Sequence, residues 1–243
     1  MFGIEKNRFN KISAFTLAEV LITLGIIGVV AALTMPSLIA NYRKQVIITQ
    51  LKKTYSTLSQ AMLFTVQADG DYSSLTFSDG DMNSTISWYE DNLKPHLQVI
   101  KSCYNESGCW HSSGYTRFLN GAIADYDNGT KGIGTAIITF VTNDGIMQCL
   151  DGFTQADIAT RFKVNIMNDS GLGVYVDING NKLPNVIGQD IFVMVLSDRG
   201  FVPAGLNATD AEVNADCSPN GKGYFCLEKI IRDNWTLSKN STW

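Results

Sequence analysis

The feature that most constrains this chain is the run from Phe15 to Ala40, FTLAEVLITLGIIGVVAALTMPSLIA, which carries a single charged residue, Glu19. As a helix it is long enough to cross a hydrocarbon core of roughly 30 Å. Lys6, Arg8 and Lys11 precede the run, and Arg43 and Lys44 follow it. The leading cations together with a free amino terminus outweigh the trailing pair, so the positive-inside rule keeps the N-terminus in the cytoplasm and exports the bulk of the chain. A secretory signal would end its apolar core sooner, at a small-residue cleavage motif on the far side.

Here the run passes instead into more helical sequence. Ile48, Leu51, Tyr55, Leu58 and Met62 recur at spacings of three and four, while Arg43, Lys44, Gln45, Lys52, Lys53, Ser56 and Gln60 fall mostly on other faces. The expected element is one helix from Phe15 to about Ala68, on the order of 80 Å long at 1.5 Å per residue. It is apolar all round over 15–40 and amphipathic over 41–70, and Asp69-Gly70-Asp71 supplies its stop. Pro36 removes a hydrogen bond and crowds the preceding turn, which predicts a kink or a melted stretch at Thr34 to Pro36.

Glu19 is out of place in such a segment. A carboxylate near the bilayer centre costs roughly 2.5–3.5 kcal/mol on insertion scales, so it either stays hydrated near the cytoplasmic interface or has a function within the membrane. A cut before Phe15 would create an α-ammonium four residues from Glu19. The same cation on a neighbouring subunit would pair with Glu19 where little water competes.

The segment Lys11 to Glu19, KISAFTLAE, resembles the cleavage and N-methylation signal of type IV pilins and of the pseudopilins of type II secretion and competence systems. In that family a membrane prepilin peptidase cuts after a small residue, usually glycine, and methylates the new terminal Phe. The resemblance implies that Ala14 precedes the cut, that Phe15 is the methylated terminus and that Glu19 is the acid guiding docking into a filament. Ala14 departs from the usual glycine but is similarly small. Gly25, Gly28 and Pro36 are similar to positions where pilin helices loosen during assembly, and helix packing in lipid accounts for the glycines equally well. The resemblance spans Lys11 to Met62 and implies a removed leader (1–14), a polymerisation helix (15–40), its amphipathic continuation (41–70) and an exported domain (71–243). The implied partners are prepilin peptidase, other pilin or pseudopilin subunits, the inner-membrane assembly platform and the membrane itself, with the chain ending in a periplasmic or cell-surface filament.

Beyond residue 70 the sequence breaks into short apolar stretches punctuated by Gly, Asn, Asp and Ser. Thr135–Val141, the turn Asn143-Asp144-Gly145 and Ile146–Leu150 read as a β-hairpin. Gly173–Ile178 and Ile191–Leu196 read as further strands, Ser87–Leu93 as a short helix and Cys226–Trp235 as a last amphipathic one. The expected class is α+β, with an antiparallel sheet packed on the apolar stripe of the long helix. Pilins share that arrangement.

Five cysteines, at 103, 109, 149, 217 and 226, all lie in this domain. Cys103/Cys109 and Cys217/Cys226 each close a short loop, which suits disulfides in an oxidising compartment, although Cys149 leaves the connectivity open. Zinc is disfavoured: there is no C-x-x-C, and His96 and His111 lack ligand spacing.

Within Val176 to Asp190, Asp177, Asn179 and Asn181 stand two apart like the opening of a calcium loop, and Asp190 could complete a site. The competing reading is an Asn179-Gly180 hairpin turn with Pro184 ending the strand. Major pseudopilins are similar in carrying a calcium loop in this domain, so the resemblance implies calcium as the one candidate cofactor.

The net charge of −4 and a charged fraction of 17% offer no broad basic face for nucleic acid. Enzyme signatures for serine hydrolases, zinc proteases and phosphate-binding loops are absent from the sequence. The expectation is therefore a structural filament subunit and not an enzyme. Two alternatives accompany it: a minor pilin whose exported domain binds a ligand or DNA, with Tyr104, Trp110, Tyr115 and Phe118 as the surface, and a membrane-tethered enzyme.

Overall fold

A computed structural model describes residues 16–69, 77, 82–112, 114–124 and 137–237. The chain falls into two compact units, Met1–Gln45 and Val46–Trp243. Helix α1, Leu17–Asp69, contributes to both and is continuous over 53 residues with Pro36 inside it.

The melted stretch expected at Thr34 to Pro36 does not occur, because helical backbone runs through all three residues. Side-chain hydroxyls bond within the helix on either side of the proline. Thr34 Oγ1 donates to the Val30 carbonyl at 2.9 Å, and Ser37 Oγ donates to the Thr34 carbonyl at 3.0 Å. The missing Pro36 N–H would have served the Ala32 carbonyl, so these bonds reinforce neighbouring turns and do not replace the one that proline removes. In the first unit every large apolar side chain from Leu17 to Ile39 is exposed, from 45% at Val20 to 81% at Leu17. This stretch is long and apolar enough to cross a membrane.

In the second unit the predicted stripe is real. Leu51, Leu58 and Met62 are fully buried, Ile48 and Tyr55 pack at the margin, and Ala61, Thr54 and Thr65 complete the inward face. Lys52, Lys53, Ser56 and Gln60 are exposed. The chain continues through α2 (Met82–Trp88), a π-helical turn (Tyr89–Leu93) and a 3₁₀ turn (Lys94–His96), and then enters the sheet.

The sheet has six strands in a simple meander: β1 (Val99–Tyr104), β2 (Ile137–Thr142), β3 (Met147–Thr154), β4 (Ser170–Asp177), β5 (Ile191–Ser197) and β6 (Gly200–Pro203). Each strand pairs antiparallel with the next. The β2–β3 hairpin forms where the sequence placed it. Gly145 (φ +81°) donates its N–H to the Thr142 carbonyl at 2.9 Å and so closes a three-residue loop that needs a left-handed residue there.

Cross-strand register sorts the side chains into two faces. The row Ile138–Leu150–Val174–Met194 joins the core that includes Leu51, Leu58 and Met62, so the sheet packs on the stripe of α1. The opposite row, Thr139–Cys149–Tyr175–Val193, lies under a second core built with Trp110, Phe118, Ile158, Phe162, Val213 and Tyr224. No periodic stretch of the sequence announces a cover for this face. It is covered by the segment after β1, by α3 (Gln155–Asp157) with its π-helical extension Ile158–Phe162, and by α4 (Asp210–Asp216). Every residue of β4 is consequently buried, and Gly173 serves that burial: a Cβ there would meet the Phe153 ring at 2.6 Å. Helix α5 (Cys226–Arg232) packs Leu227 and Ile230 into the first core.

Candidate assembly site and the locked loop

The proposed processing residues Ala14 and Phe15, with the leader 1–14, lie outside the described residues. The described chain opens on Thr16, directly before α1, and Glu19 sits in the first turn. Glu19 Oε2 accepts hydrogen bonds from the Thr16 N–H and the Thr16 Oγ1, both at 2.8 Å, while the Glu19 N–H donates to Thr16 Oγ1 at 3.3 Å. This is a capping box, in which threonine and glutamate three residues apart satisfy each other's backbone donors at a helix start. Thr16-Leu17-Ala18-Glu19 carries the spacing of this motif as well as the processing resemblance. Both bonds fall on Oε2, and Oε1 has no hydrogen bond among the described residues. The carboxylate is therefore held in a fixed orientation with one oxygen free for a further partner.

The β4–β5 connection spans residues 178–190, so the tight Asn179-Gly180 hairpin turn is corrected to a long loop closed at its base by the Asp177–Ile191 pair. Two buried carboxylates lock this loop. Asp177 Oδ1 accepts from the N–H groups of Asn179 (3.0 Å) and Gly180 (2.9 Å), and its Oδ2 lies 2.5 Å from His111 Nε2. Asp190 Oδ1 accepts from the Val186 N–H (2.6 Å), and Oδ2 from the Asn185 N–H (2.8 Å) and Asn179 Nδ2 (2.9 Å). Burial pushes the Asp190 carboxyl up to about 6, aided by the charge of Asp177 and opposed by the backbone donors at Val186 and Asn185. Burial likewise raises Asp177, against the pull of His111.

Of the four calcium candidates, Asp177, Asn179 and Asp190 are brought into this one network, and Asn181 is exposed. The side-chain oxygens of Asn179 and Asn185 are buried without a hydrogen-bond partner and are of the kind calcium takes. Each oxygen of both carboxylates faces N–H donors or His111, so coordinating a cation requires those donors to turn away. His111 carries no local signal because it comes from 66 residues away, and Asn185, within the same loop, enters the network through its backbone N–H, which no side-chain spacing marks.

Cys103–Cys109 and Cys217–Cys226 are disulfides, and Cys149 is a buried free thiol. His111 faces Asp177, and Cys109 is committed to a disulfide. The four aromatics considered as a ligand surface separate: Trp110 and Phe118 are buried, Tyr104 is half-buried, and Tyr115 alone is exposed, at 61%.

Residues 37–151 match a family of unknown function, DUF6613. The matched stretch begins just after Pro36, takes in the amphipathic half of α1, the first disulfide and β2, and ends within β3. No curated protein and no solved structure matches the chain.

Proposed function

We propose that this chain is a structural subunit, pilin or pseudopilin, of a type IV pilus or of a type II secretion or competence pseudopilus. On this reading prepilin peptidase removes residues 1–14 and methylates Phe15, and the helix beyond it anchors the subunit in the membrane until the assembly platform adds it to a filament. One observation carries the reading: over 17–39 the apolar half of α1 exposes all its large side chains and holds one acid, Glu19, whose Oε1 has no hydrogen bond among the described residues. A helix that is apolar all round must bury its surface in lipid or against other helices. A filament core of packed helices and the bilayer before assembly provide both environments in turn. The α-ammonium of a neighbouring mature chain fits the free oxygen, and Thr16 keeps the other oxygen in place while the pair forms.

Glu19→Ala tests this assignment. The variant is expected to fractionate with membranes like the native chain and to be missing from sheared filaments. Filaments containing the variant at native levels would remove Glu19 from assembly.

A further inference from the structure

The segment after the first disulfide forms a small three-stranded apron beside the locked loop. Arg117 bridges Ile123 antiparallel on one side and Val186 parallel on the other. Its N–H donates to the Asn185 carbonyl at 3.0 Å, and its carbonyl accepts from the Ile187 N–H at 2.8 Å. Burial alternates along this apron as extended backbone requires: Thr116, Phe118, Ala124, Asn185 and Ile187 point inward, whereas Tyr115, Arg117 and Ile123 point out. Tyr115 is 61% exposed, Ile123 53% and, at the mouth of the adjoining loop, Leu183 77%. Paired residues share a face, so Arg117, Ile123 and Val186 stand side by side.

From this placement we infer that the outward face of the apron is a docking surface for a short polypeptide segment that is both acidic and apolar. Exposed aromatic and aliphatic side chains around an arginine are the composition of an interface centre. The charge on the face selects the partner. Arg117 donates to the Gly121 carbonyl at 3.1 Å, and neither it nor the exposed Lys182 meets a carboxylate among the described residues. Arg117, which meets no carboxylate among the described residues, stands within this apolar face and complements a carboxylate carried on an apolar strand, with Lys182 in the adjoining loop as a second exposed cation. Nucleic acid fits less well. A strand-binding surface needs several stacking aromatics and a continuous cationic track, whereas this face has one aromatic and belongs to a chain of net charge −4.

The test uses the full chain in detergent micelles and reads fluorescence anisotropy of a labelled, capped eight-residue peptide of alternating Glu and Leu. A Lys/Leu peptide and an oligo-dT strand serve as comparisons. The Glu/Leu peptide is expected to bind, the other two to bind more weakly, and the double variant Arg117→Glu, Lys182→Glu to raise its Kd by roughly tenfold or more with an unchanged melting temperature. Ile123→Ser, which keeps both cations, is expected to weaken binding as well. The inference is overturned by no Glu/Leu binding, by equal or tighter binding of either comparison, or by affinity that survives both variants. None of these readouts involves processing at Phe15, so they stand or fall separately from filament assembly.

Discussion

Asp190 shows how much one side chain organises in this domain. Its carboxylate collects two backbone N–H groups and an amide within the loop it closes, in a site that is only 2% exposed. Because its folded pKa is raised to about 6, the native state binds this proton more tightly than the unfolded chain does. The contribution of Asp190 to stability is therefore most favourable below the unfolded carboxylate pKa and is lost as pH rises through about 6. The loss amounts to no more than about 3 kcal/mol at one pKa unit per 1.4 kcal/mol. Denaturant melts of native and Asp190→Asn chains between pH 4 and 7 should show the native chain weakening with pH more steeply than the variant. Parallel pH profiles would contradict the account. His111 approaches the same network from 66 residues away in sequence, which is why no local motif disclosed it.

At the scale of elements, the clearest prediction separates the two sides of α1. Leu58 is fully buried against the sheet and Leu63 is 58% exposed. Leu58→Ala should cost about 2–5 kcal/mol by leaving a cavity, and Leu63→Ala about 0.5 kcal/mol or less, both read from urea melts. Equal losses would mean that the stripe is not the packed face. What was legible in the sequence follows the same logic. The α1 stripe, the β2–β3 hairpin and α5 could be read because a period or a turn residue announces them within a few positions. The covers of the second sheet face could not be read. Phe162, Val213 and Tyr224 come from short, irregular segments whose apolar residues acquire a face only once the meander exists. The capping box of Thr16 and Glu19 was legible but was absorbed into a larger pattern. Helical backbone runs on through Pro36, so no melted stretch forms there, at the loss of one hydrogen bond.

Across the whole molecule, the two disulfides close loops of sequence separation 6 and 9, the first leaving β1 at Cys103 and the second joining the end of α4 to the start of α5. Loop-closure entropy gives roughly 2–3 kcal/mol for each, so replacing either pair by alanine should lower stability by that order, and reductant should reproduce the double loss. Cys149, whose thiol burial pushes well above the ordinary range, should stay unmodified by iodoacetamide in the native chain and react on unfolding. A domain stabilised in this way suits an oxidising compartment, and an exposed apolar helix suits a bilayer or a helical filament core. On the proposed reading, a cut between Ala14 and Phe15 releases the leader and creates the cation for Glu19. The decisive measurement is mass spectrometry of the N-terminal peptide from membrane and sheared-surface fractions. The account predicts a chain beginning at N-methylated Phe15 in both fractions; an intact Met1 terminus in both would contradict it.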